Sequence, residues 1–154
     1  MFNSENFSPE MPFKFLLADD DKDDRFFFKD ALEKVSPSTE LITVEDGEEL
    51  MTYLFDNYNQ LPDVLFLDIN MPRKNGKECL IEIRADENLK HLPVIIYSTS
   101  LAEVIADELF AIGANKYMRK SDMLELEEKL RLVLSQLADD KFAQTTKENF
   151  SFPN

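Results

Sequence analysis

The chain has 154 residues, 44% of them apolar, and its 31 acidic against 17 basic side chains give a formal charge of −14. That length serves one substantial core with little room for a second domain, and that charge repels a phosphate backbone, which argues against direct DNA binding. No apolar run approaches the ~20 residues that span a bilayer, and no basic-then-apolar leader opens the sequence, so no membrane association and a cytoplasmic location are expected.

Residues 1–12 mix Asn, Ser, Glu and two prolines without periodicity and read as a flexible N-terminal arm. Order begins with a strand over Phe13–Ala18, which is cut off by Asp19, Asp20 and Asp21. Phe27, Phe28, Ala31, Leu32 and Val35 then recur at helical spacing until Ser36-Pro37-Ser38 stops the helix. Leu41–Val44 is a short second strand, and Asp46-Gly47 introduces a helix with Leu50, Met51 and Leu54 inward. The run Val64-Leu65-Phe66-Leu67 is apolar without alternation, ends on Asp68 and meets Pro72, the pattern of a strand buried on both faces. Gly76, Cys79, Leu80 and Ile83 define a third helix. Cys79, the one cysteine, has no internal disulfide partner and reads as a small buried hydrophobe in a reducing compartment. Pro93–Tyr97 is a fourth strand ending at Ser98, and the next helix turns Ile105, Leu109 and Ile112 inward until Gly113. Asn115–Met118 forms a short fifth strand with Lys120 just past its end. Met123, Leu126, Leu130, Val133 and Leu137 mark the last helix, and residues 139–154 lose the pattern and read as a mobile tail.

Five strand-then-helix units in succession make an α/β fold, a doubly wound parallel sheet with right-handed crossovers and helices on both faces. Parallel strands all end at one edge, where ligands collect. Asp19, Asp20, Asp68, Ser98 and Lys120 therefore meet there. Each has a simpler role available: the Asp19–Asp21 run can cap the first helix, Asp68 and Ser98 can be turn residues, and Lys120 can be one solvated lysine among many. Their joint placement is harder to explain that way. A cluster of carboxylates is costly without a cation, and an all-oxygen ligand set of this kind suits Mg²⁺.

From Phe13 to about Leu137 the sequence resembles a response-regulator receiver domain of two-component signalling. The resemblance rests on Asp19-Asp20 after the first strand, Asp68-Ile69-Asn70-Met71-Pro72 with Gly76 after the third, Ser98 after the fourth, and Tyr117 with Lys120 around the fifth. It implies a flavodoxin-like receiver fold over residues 13–138, with strand order 2-1-3-4-5. It also implies a phosphoprotein switch, not a dedicated enzyme, that takes a phosphoryl group on Asp68 from a histidine kinase or phosphotransfer protein. Asp20, Asp68 and the Asn70 carbonyl would bind Mg²⁺, Asp19 would act through a metal-bound water, Lys120 would contact Asp68, and Ser98 and Tyr117 would form the switch pair. The signal would leave by the helix 4, strand 5 and helix 5 face, toward a downstream protein or a homodimer partner. Phe142, Phe150 and Phe152 of the tail are candidates to join that interface. The Arg73-Lys74-Asn75-Gly76 loop and the acidic start of helix one resemble regulators of phytochrome-like kinases, and a single-domain regulator is expected.

Ser121 stands where the family has a proline preceded by a cis peptide. A cis bond there would cost ~3 kcal/mol without proline, so Lys120–Ser121 is expected to be trans, with Ser121 or Asp122 capping the last helix. A phosphatase of the dehalogenase type would need a second Asp where Asn70 stands, and an FMN phosphate would be repelled by the acidic first loop. A phosphorylation-independent adaptor with a receiver fold is the remaining alternative.

Overall fold

The computed structural model describes residues 12–140, 142 and 146–152; the arm expected at residues 1–12 lies outside them except for Pro12. Five strands, β1 (Lys14–Ala18), β2 (Glu40–Val44), β3 (Val64–Leu67), β4 (Val94–Ser98) and β5 (Lys116–Arg119), alternate with five helices. The helices are α1 (Lys22–Val35), α2 (Gly47–Asp56), α3 (Gly76–Ala85), α4 (Glu103–Ile112) and α5 (Met123–Ala138). All strand pairs are parallel, in the order 2-1-3-4-5.

Alternation along each strand splits the core in two. Leu16, Ala18, Leu65, Leu67, Val94 and Ile96 face the apolar stripes of α2, α3 and α4. Phe15, Leu17, Val64, Phe66, Ile95 and Tyr97 face those of α1 and α5. Both sets are buried because crossover helices cover both faces, which is why β3 has no polar alternation. Phe28, Phe66 and Tyr97 pack edge to face at centroid distances of 4.9 to 6.4 Å, the arrangement that ring quadrupoles favour.

Caps set the helix starts. Asp21 accepts from the amides of Asp23 and Asp24, Asp46 from Glu49, and Asp122 from Glu125, while Asn75 and Glu78 form a reciprocal capping box. Gly113, at φ 126°, ends α4 in a backbone region that favours glycine.

Two expectations change. Ile105 points outward, 38% exposed, because the inward stripe of α4 runs through Leu109. The tail expected to be mobile docks through its aromatic residues, while residues 146–149 stay exposed. Phe142, Phe150 and Phe152 are buried, and Ser151 pairs in parallel with Tyr117. The Tyr117 amide donates to the Phe150 carbonyl at 2.8 Å, and the Phe152 amide donates to the Tyr117 carbonyl at 3.0 Å. Strand-like alternation sends Phe150 into the α2–α4 layer, against Phe110, and Phe152 into the α1–α5 layer. Lys116 donates to the Asn149 carbonyl at 2.6 Å, so the tail completes the outer edge of β5.

Candidate functional site

The carboxyl ends of β1 and β3 deliver the acidic groups. The Asp68 amide donates to the Ala18 carbonyl and the Asp19 amide to Val44, so backbone pairing carries both residues to the rim of the sheet. Asp19 is fully buried, Asp68 is 6% exposed, and Asp20 faces outward. A carboxylate oxygen from each of the three lies within 4.8 Å of the others. The Asn70 amide leans on Asp68 Oδ1 at 3.4 Å, beyond good hydrogen-bond length.

Close approach fixes the loop after β3. The Gly76 amide donates to the Ile69 carbonyl, and a Cβ on Gly76 would sit 2.3 Å from the Asp68 carbonyl oxygen. Gly47 is equally constrained, with the Lys74 carbonyl oxygen 2.0 Å from where a Cβ would be. Arg73 adopts φ 66° in this loop and pairs through Nε with Asp46 at 2.9 Å.

Lys120 reaches the pocket. Its backbone amide donates to the Ser98 carbonyl at 2.8 Å, continuing the pairing of β5 with β4. Its ammonium lies 2.8 Å from Asp19 Oδ2, 2.8 Å from Asp24 Oδ2 and 3.5 Å from Asp68 Oδ2, and 5.3 Å from the centroid of the Tyr97 ring. The sequence reading placed Lys120 here but missed Asp24 and Tyr97. Asp24 sits in the first turn of α1, where an acidic residue already has a helix-dipole explanation.

No cis peptide occurs among the described residues, so Lys120–Ser121 is trans as expected. Lys129 supplies local support: its ammonium, on a residue only 5% exposed, donates to the Arg119 carbonyl at 3.2 Å and to Ser121 Oγ at 3.5 Å. Those two partners flank Lys120 in the chain. Ser98 is buried at the end of β4. Tyr117 lies two register positions deeper, paired with Ile96, and packs against the α2–α4 layer instead of entering the pocket.

Burial pushes the Asp68 carboxyl up; Lys120 opposes the shift and Asp19 adds to it, leaving the pKa at about 6. Burial works against the Lys120 charge, yet the close carboxylates of Asp19 and Asp24, with Asp68 beyond them, win and raise its pKa. A buried carboxyl that resists ionisation beside a second carboxylate lacks positive charge. Asp19 Oδ2 is also buried without a well-aligned hydrogen-bond donor, Lys120 being its ion-pair neighbour. That oxygen and the clustered carboxylates fit a hard divalent cation such as Mg²⁺.

A five-stranded doubly wound sheet with an acidic pocket and a lysine at its carboxyl edge defines a receiver-type α/β protein. Residues 15–131 match the response regulator receiver domain family, and the chain belongs to that family. It is 32% identical over 115 residues to response regulator Rcp1 of Synechocystis sp., covering 71% of this chain and 78% of that one. The fold is similar to that of the phosphorylated cyanobacterial phytochrome response regulator RcpA, with a TM-score of 0.75 and 32% identity over 84% of this chain and 96% of that one. It is also similar to the Mn²⁺-bound form of Rcp1, with a TM-score of 0.70 and 30% identity over 80% and 93% of the two chains. No helix among the described residues is long and apolar enough to cross a membrane.

Proposed function

We propose that the chain is a phosphorylation switch whose acceptor is Asp68, supplied by a histidine kinase or phosphotransfer protein. The observation that carries this reading is the meeting of Asp68 with Asp19, Asp20 and Lys120 at one end of the sheet. An Asp68 carboxylate oxygen attacks phosphorus, the bond from phosphorus to the donor's nitrogen or acyl oxygen breaks, and a mixed anhydride forms on Asp68. The leaving group takes the electron pair of the broken bond. Lys120 faces the negative charge carried by the phosphoryl oxygens, and its trans-peptide loop keeps it within reach.

Asp19, Asp20 and Asp68 would hold Mg²⁺, with the Asn70 carbonyl as a further ligand, and the ion would neutralise charge on the transferring group. The Ser98 hydroxyl, at the mouth of β4, would bond a phosphoryl oxygen and draw its loop inward. Tyr117 would then respond, passing the change to the face formed by α4, β5 and α5. Likeness to phytochrome response regulators favours a light-sensing histidine kinase as the donor. A regulated protein contact or homodimer is the expected output.

Intact-mass measurement after incubation with acetyl phosphate and Mg²⁺ tests the reading. Wild type gains one phosphoryl group and Asp68→Asn gains none. Full labelling of Asp68→Asn would overturn the assignment, and an unlabelled wild type would favour an adaptor that uses the fold without phosphorylation.

A further inference from the structure

Lys120 makes its two shortest side-chain contacts with carboxylates other than the proposed acceptor. Asp19 Oδ2 and Asp24 Oδ2 each lie 2.8 Å from its ammonium, against 3.5 Å for Asp68 Oδ2. Asp19 is one of the three carboxylates that could share a metal ion, whereas Asp24 is outside that set. The two neighbours therefore behave differently once positive charge enters the pocket. Negative charge on Asp19 and Asp68 would be neutralised, and their pull on the ammonium would weaken. Asp24 would keep its full charge, and its side chain stands at the pocket rim, 37% exposed against 0% for Asp19. Helix α1 fixes it there, because the Asp24 amide is tied to the Asp21 cap at 3.1 Å.

We propose that Asp24 is a positioning residue that restrains Lys120, holding its ammonium back from Asp68 and slowing phosphoryl uptake. The inference rests on Asp68 as acceptor. Lys120 must leave Asp24, or share itself between Asp24 and the phosphoryl oxygens, as charge develops on the transferring group. The restraint is electrostatic and geometric at once: a carboxylate fixed on a helix competes with a transient anion for one short-range cation.

Asp23 provides the control, since it occupies the same first turn of α1 and carries the same charge, while the ion-pair partners of Lys120 are Asp19, Asp24 and Asp68. Asp23→Asn and Asp24→Asn change net charge and helix-dipole complementarity alike. Labelling by acetyl phosphate would be followed by intact mass across donor concentrations at saturating Mg²⁺, and Mg²⁺ affinity would be read by calorimetry. Asp24→Asn is expected to raise the maximal labelling rate constant by about threefold or more over Asp23→Asn, with equal Mg²⁺ affinity in the two. Asp24→Glu, which keeps the charge, is expected to stay within about twofold of wild type.

A maximal rate for Asp24→Asn equal to or below that of Asp23→Asn overturns the inference, as does a gain that tracks a change in Mg²⁺ affinity. A gain confined to the half-saturating donor concentration and shared by both variants would be bulk repulsion of an anionic donor, and would overturn it as well. If wild type takes no label, the acceptor assignment fails and this inference fails with it. If wild type labels and Asp68→Asn does not, equality of the two Asn variants sinks only the role of Asp24.

Discussion

Asp68 carries a burial cost that ordinary surface aspartates avoid. Its carboxyl pKa is raised from 3.8 to about 6, so the folded state holds a proton that the unfolded chain has already released. The sign follows from linkage: stability from this group is fully present below about pH 4 and is lost as pH rises from there through about pH 6. Above that window the ionised group costs stability, because burial and the neighbouring Asp19 carboxylate disfavour its charge. In Mg²⁺-free buffer at pH 7.5, Asp68→Asn is therefore expected to unfold at higher urea than wild type, with the advantage shrinking toward pH 4. An advantage independent of pH would show that ionisation of Asp68 is not its source. Asp24 illustrates what residue-level reading could not reach. Strand ends announce Asp68 and Lys120, but the contact between Lys120 and Asp24 depends on which way a flexible four-carbon stem bends, and no spacing rule encodes that.

Helix α3 starts where it does because Gly76 lets the chain fold back onto the end of β3. An added Cβ would lie 2.3 Å from the Asp68 carbonyl oxygen and 2.8 Å from the Ile69 Cα, both backbone atoms that cannot swing aside. Gly76→Ala is expected to destabilise by about 3 kcal/mol in urea titrations and to slow acetyl phosphate labelling, because relief of the clash moves Asp68. Stability lost with labelling intact would place the relaxation elsewhere. The elements themselves were legible: apolar period and end signals placed every strand to within a residue or two and found all five helices, although the periodicity of the first began at Phe27, well inside α1. Helix α4 was read less well. Its apolar residues are spread around the cylinder, and Val104 and Ile105 face solvent while Leu109 is buried. Sequence alone could not choose among those faces.

The tail escaped the sequence reading for a reason that belongs to the whole molecule. Phe142, Phe150 and Phe152 are separated by polar residues and show no helical repeat, so nothing local distinguishes them from a disordered segment. Their burial depends on grooves built by β5 and the helices on either side of it. Deleting residues 141–154 is expected to speed hydrogen exchange of the Tyr117 amide by about tenfold or more, since that amide loses the Phe150 carbonyl and meets solvent. Unchanged protection of Tyr117 would mean that another segment covers the edge. Because Tyr117 is also the proposed switch residue, the deletion is expected to alter how phosphorylation reaches the face formed by α4, β5 and α5.

Docking of the tail also bears on self-association. A sheet of five strands has two rims of unsatisfied peptide groups, and each is a template on which a foreign strand can grow. Here one rim is occupied by Phe150–Phe152. The other, β2, is only five residues long and opens on the exposed Glu40, a poor platform for stacking. Aggregation resistance thus has unequal sources at the two rims: charge and shortness at β2, and at β5 a strap whose loss would leave a Lys116–Arg119 ladder open to any extended chain in a crowded cell.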